Sequence, residues 1–224
     1  QAAPIAQVDT ITLAGVVAAA NVYKVTMNTK DVSITAVGTE TNNELAAALQ
    51  EALDTSDIEE FGEVEWTVDT NVITATSDEP GKPFTFSVSV TGTGTLTPAS
   101  VTASKGPNHW DDVDNWSGNT LPVNGDSVFF RDNAVDCLYG IDQNGITLAL
   151  LDIDSTYTGK IGLPDYASVA GSAGYAEYRE TYHKIGATIV KVGRGLGAGG
   201  AIAGGSADCT HDGKPAMSSL TPPR

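Results

Sequence analysis

The chain has 224 residues, 41% of them hydrophobic, with 28 acidic against 12 basic side chains and a formal charge of −16. This length and apolar content suffice for one large domain or two small ones with real cores, and they exclude wholesale disorder. So acidic a surface repels phosphate backbones and disfavours direct nucleic-acid binding, and no apolar run is long enough to span a membrane.

The charge is unevenly spread: residues 1–104 hold 14 acidic and 3 basic side chains, the remainder 14 and 9. The start, Gln1-Ala2-Ala3-Pro4, lacks the basic and apolar segments of a signal peptide, and its missing Met points to a processed or incompletely read terminus. Two distant cysteines, Cys137 and Cys209, fix neither a disulfide nor a redox compartment.

In chain order, residues 10–13, 22–27 and 32–37 read as strands rich in β-branched side chains. Thr41-Asn42-Asn43-Glu44 is a capping-box pattern, and Leu45, Ala48, Leu49, Ala52 and Leu53 behind it form one apolar helical stripe. Val64, Trp66 and Val68 alternate with polar residues, Asp69-Thr70-Asn71 makes a hairpin turn, and residues 72–76 return. After Pro80-Gly81-Lys82-Pro83, the residues Phe84, Phe86, Val88 and Val90 alternate as a further strand. The stripe needs an apolar sheet to cover, so residues 1–104 are expected to form a small α+β domain, a sheet plus one helix. The pattern Ile11-Thr12-Leu13-Ala14-Gly15, Val22 to Asn28, the Leu45-Ala46-Ala47-Ala48-Leu49 helix and Pro83-Phe84-Phe86-Val88 resembles a small module of tailed-bacteriophage and prophage structural proteins.

Gly106-Pro107-Asn108 breaks the pattern and opens a second region, residues 105–190. Here His109-Trp110-Asp111-Asp112-Val113-Asp114-Asn115-Trp116-Ser117-Gly118 places two of the three tryptophans six residues apart among turn formers, ahead of a strand at Val128-Phe129-Phe130. Residues 137–139, 146–151 and 153 are its expected partners. Short strands at this spacing suit a β-sandwich or the first rungs of a β-solenoid whose open end the tryptophans would cap. The form W…NW…G…P…GD resembles the opening of parallel β-helix regions in secreted surface proteins and phage proteins. Together with Leu138 to Gln143, Tyr157 to Pro164 and Tyr178 to Tyr182, the stretch from Gly106 resembles a family of phage and prophage virion-associated proteins. Residues 191–224 are glycine-rich and cannot build a core of their own; they are expected to pack on a partner.

The densest oxygen cluster is Asp111, Asp112, Asp114 and Asn115, which reads either as a calcium loop or as turn-forming aspartates; EF-hand spacing is absent. His109, His183 and His211 are too widely spaced for a zinc motif. Gly193-Arg194-Gly195-Leu196-Gly197 lacks the strand–loop–helix context of a dinucleotide loop. No nucleophile elbow, phosphate loop or kinase signature is present, and no Asp/Glu pair stands out as a glycosidase dyad. Tyr157, Tyr166, Tyr175, Tyr178 and Tyr182 read as interface, core or sugar-stacking aromatics.

The expectation is a mainly β chain, an α+β domain followed by a β-sandwich or β-solenoid-like domain. The resemblances imply a non-enzymatic virion structural protein (capsid decoration, tail or fibre), without catalytic, metal or cofactor residues. Its partners would be other copies of itself, as a homo-oligomer, and other virion proteins, without nucleic acid or membrane. The alternatives are a secreted or cell-surface β-helical adhesin binding glycans and a polysaccharide-cleaving enzyme.

Overall fold

The computed structural model describes residues 1–167 and 174–193, with the strand backbones of residues 201–209 and 215–216. The protein is mainly β, 43% strand and 10% helix; among the described residues it has one α-helix and several sheets, none of them closed. Contacts divide it into two compact units. The first holds Pro4–Lys105 and, of the later described residues, Gly174 and Tyr175; the second holds Gln1–Ala3, Gly106–Ala167 and the described residues from Ala176 on.

The first unit runs β1 (Val8–Gly15), β2 (Val22–Met27), β3 (Lys30–Thr35), α1 (Asn42–Asp54), β4 (Val64–Asp69), β5 (Val72–Ser77), β6 (Ser87–Thr91) and β7 (Gly94–Thr102). Its two antiparallel sheets have the orders β4-β5-β1-β7 and β3-β2-β6. The helix begins where the sequence predicts: the Thr41 hydroxyl accepts from the Glu44 N–H while the Glu44 carboxylate accepts from the Thr41 N–H. Its buried face is Leu45, Ala46, Leu49 and Leu53, so Ala46 takes the inward position expected of Ala48. Each buried leucine contributes roughly 1.5–3 kcal/mol against the strands beneath.

The strand expected from Phe84 begins only at Ser87. Phe84 is instead held by the Gln7 side chain, its N–H donating to Oε1 at 3.0 Å and its C=O accepting from Nε2 at 2.9 Å. An amide side chain thus takes the place of a neighbouring strand. Strand β7, not expected from its exposed Gly/Thr composition, pairs with the whole length of β1.

The second unit contains β8 (Ser127–Phe130), β9 (Asp142–Ile153), the two-residue β10 (Tyr166–Ala167) and β11 (Tyr175–Ala176, whose first residue belongs to the other unit), β12 (Lys184–Val192), β13 (Ala201–Cys209) and β14 (Pro215–Ala216). The sheet order is β14-β13-β12-β9-β8; β8, β9 and β12 run parallel, and β13 is antiparallel to β12. Val128, Leu151 and Val190 pair in register across the three parallel strands, all buried, and Phe130, Ile153 and Val192 form the next row. Parallel bridges also join His109 to Tyr139 and Cys137 to Ile161. Cys137 belongs to this core, whereas the side chain of Cys209, and so any pairing of the two, lies outside the described residues. Of the glycine-rich tail, residues 191–193 at the end of β12 and the strand backbones of β13 and β14 are described; its packing on a partner lies outside the described residues.

Candidate functional site

The tryptophan turn of the second unit is built from a few side chains that replace regular structure. The Trp110 N–H donates to the Tyr139 C=O at 2.9 Å, tying the turn to the segment that bridges His109 in parallel. Asn115 is its central clasp. Its Nδ2 donates to the carbonyls of Gly106 and His109, both at 2.8 Å, and its Oδ1 accepts from the Ala2 N–H at 3.0 Å. The Trp116 Nε1 donates to the Trp110 C=O at 2.7 Å, and the two indoles meet edge to face with centroids 4.6 Å apart.

Trp110 is fully buried and packs on Phe130 and His183, while Phe130 packs on Tyr157. His183 is also fully buried, and burial pushes its imidazole down to about 4 from 6.5. Tyr157 Oη donates to the Val135 C=O at 2.7 Å, with the Lys160 C=O 3.0 Å from the same hydroxyl, so one side chain joins two segments distant in sequence.

The aspartates of the turn have separate local roles. Asp111 stays exposed and pairs with His109 Nδ1 at 3.2 Å. Asp112 is buried, and its carboxylate accepts from the Asp114 N–H at 3.2 Å to start a short 3-10 turn at Val113–Asn115. Among the described residues no group of three His, Cys, Asp or Glu side chains converges to hold a metal ion. Nor, among them, is any helix long and apolar enough to cross a membrane. His211 and Arg194 to Gly197 lie outside the described residues.

The tyrosines do not gather. Tyr157 and Tyr175 are buried, Tyr166 and Tyr182 exposed, and the Tyr178 ring lies under the Arg179 guanidinium at 4.7 Å. Tyr175 belongs to the first unit, where its hydroxyl donates to Glu63. Glu63 also takes Lys82 at 2.6 Å, and the neighbouring buried Glu60 takes Lys30 at 2.9 Å and Asn28 at 2.7 Å. Each buried carboxylate is thereby matched by a cation and a hydrogen-bond donor, as burial of a charge demands. Nothing in the spacing of Glu60 and Glu63 distinguishes them in the sequence.

Two openings flank the turn. A cavity of about 150 Å³ is lined by both tryptophans, Phe130, Tyr157, Asn108 and Asn133 among others. A groove of about 540 Å³ runs along Ser127 to Phe129, with Trp116, Thr120 and Pro122 in its other wall. Phe129 and Arg131 border both openings, with the Arg131 guanidinium 4.4 Å from the Phe129 ring centre. Neither residue stands out in the sequence; Arg131 is legible only as a lone cation among acidic neighbours. The chain matches no known protein family and no curated protein sequence.

Proposed function

We propose that this chain is a non-enzymatic structural protein of a phage-like virion, working through protein–protein interfaces with copies of itself and with other virion proteins. The observation that carries the reading is the parallel stacking of the second unit. Val128 and Phe130 meet Leu151 and Ile153, 23 positions on, and Cys137 meets Ile161, 24 positions on. Elsewhere in the unit the return is longer, 30 positions from His109 to Tyr139 and 39 from Leu151 to Val190. Repeated parallel returns of this kind are what a solenoid with loops inserted between its strands produces, and we take this unit as the opening coils of a β-helix. The clasped tryptophan turn then belongs to the first coil, whose outer edge is a natural place for another chain. This agrees with the family resemblance of residues 106–190.

Imaging of the native assembly tests the proposal. The expected result is density for this chain at regular positions on a shell, tube or fibre. A free monomer under native conditions would overturn it.

A glycan-binding adhesin is the second reading, favoured by the aromatic and amide lining of the smaller cavity. Saturable quenching of tryptophan fluorescence by oligosaccharides, lost in Trp116→Ala, would support it.

A further inference from the structure

Strand β8 is the edge of the parallel sheet, and its backbone shows which groups it leaves open. The Asp126 C=O accepts from the Ala149 N–H at 2.8 Å, and the Phe130 C=O accepts from the Asp154 N–H at 2.9 Å. Residues 126, 128 and 130 therefore point their backbone groups at β9. The period of two along a strand turns the N–H and C=O groups of Ser127 and Phe129 the opposite way, off the sheet.

The side chains follow the same alternation. Val128 and Phe130 pack into the core, while Ser127, Phe129 and Arg131 stand exposed on the outside. Arg131 stacks on Phe129 and, among the described residues, forms no ion pair, in a chain with 28 acidic side chains. The groove of about 540 Å³ along this strand leaves room beside it for another backbone.

We infer that the β8 edge is a strand-addition site for an extended segment of a different protein. That segment carries an apolar side chain against Phe129 and, two residues away, an Asp or Glu against Arg131. The open peptide groups call for a strand, because only another backbone supplies donors and acceptors at that repeat. Phe129 and Arg131 lie on one face two residues apart, which sets the spacing of the two side chains that meet them. A different protein is favoured over a second copy, since each copy carries a charge of −16. The inference deepens the assembly reading and rests on it, by naming the kind of partner its edge receives.

The test uses the full chain and two synthetic peptides, acetyl-Thr-Glu-Thr-Val-Thr-Glu-Thr-amide and its counterpart with Lys in place of Glu. Both fit either strand direction. The net charge of the protein attracts the Lys peptide, so a preference for the Glu peptide has to come from a local cation. Expected is saturable binding of the Glu peptide, with slowed hydrogen exchange at the Phe129 amide. Phe129→Pro should weaken it about tenfold or more while leaving the melting temperature nearly unchanged, since that N–H makes no ladder bond. Arg131→Glu, which keeps the backbone intact, should reverse the preference toward the Lys peptide.

No saturable binding of either peptide up to millimolar concentration would overturn the inference, as would binding that both variants leave unchanged. A protein found at lattice positions whose Phe129 amide still exchanges freely would refute the strand site alone. A free monomer that nevertheless binds the Glu peptide would refute the virion reading alone.

Discussion

The rings of Trp110 and His183 lie 4.2 Å apart in the core of the second unit, and among the described residues neither His183 nitrogen nor the Trp110 Nε1 has a hydrogen-bond partner. A neutral imidazole is tolerated there as a flat aromatic plug; an imidazolium is not, because no acceptor among the described residues meets it. The ordinary pKa of 6.5 falls to about 4 in the folded chain. Between those values the unfolded chain binds the proton and the folded chain does not. Stability from this group is therefore full above about pH 6.5 and falls by about 3 kcal/mol as the pH drops to 4. Chemical denaturation at pH 7.5 and pH 4.5 should show the loss in the second unit. His183→Phe should remove most of that dependence and leave stability at pH 7.5 equal or higher.

Gly140 lies beneath the Asp111 side chain, at a φ of +65°. A Cβ there would meet the Asp111 Oδ1 at 2.1 Å, and the backbone is one that side-chain-bearing residues adopt at a cost. Gly140→Ala should destabilise the second unit by about 1–3 kcal/mol, from backbone strain together with displacement of Asp111 from His109. Gly140→Ala combined with Asp111→Gly should recover the part due to the clash and keep the part due to φ. A double-mutant cycle on thermal or urea midpoints separates the two.

The capping box gives a local test in the first unit. Thr41→Ala removes the acceptor for the Glu44 N–H and should cost about 1 kcal/mol in urea unfolding. Bonds from the Thr41 N–H and hydroxyl hold the Glu44 carboxyl below its ordinary 4.5. A lowered carboxyl pKa contributes stability above the unfolded value and loses it as the pH falls through the folded one. The helix should thus begin to loosen below about pH 4.5, and Glu44→Gln should weaken that acid dependence.

These tests bear on the parts of the chain that were legible in the sequence and on those that were not. The α1 start was readable because Thr41 and Glu44 act on each other within one turn. The inward rotation from Ala48 to Ala46 was not, because it depends on which strands lie beneath. Strand β7 has no apolar alternation to betray it; β1 holds it through the backbone ladder, helped by the Thr95 hydroxyl on the Ala14 C=O. The tryptophan turn was visible as turn chemistry, yet the burial of Asp112 and the clasp of Asn115 arise only when Gly106, His109 and Ala2 converge. His183 looked like one isolated histidine of three. Its place against Trp110 is set by core packing in the second unit, a relation between residues 73 positions apart that no local pattern records.

The Asn115 clasp gives the most specific prediction. Its amide donates to the Gly106 and His109 carbonyls and accepts from the Ala2 N–H, so one side chain satisfies three backbone groups. Asn115→Ala leaves all three without that partner and should cost about 2–4 kcal/mol. Asn115→Asp is nearly isosteric and keeps the acceptor for Ala2, but it turns a carboxylate oxygen toward two carbonyls. It should be at least as damaging as Ala at pH 7, and should recover partly at low pH, when the protonated acid regains one donor. Intrinsic tryptophan fluorescence follows both variants, since Trp116 loses its register with Trp110 when the turn opens. An Asn115→Asp chain as stable as the parent at pH 7 would show that these three bonds do not hold the turn.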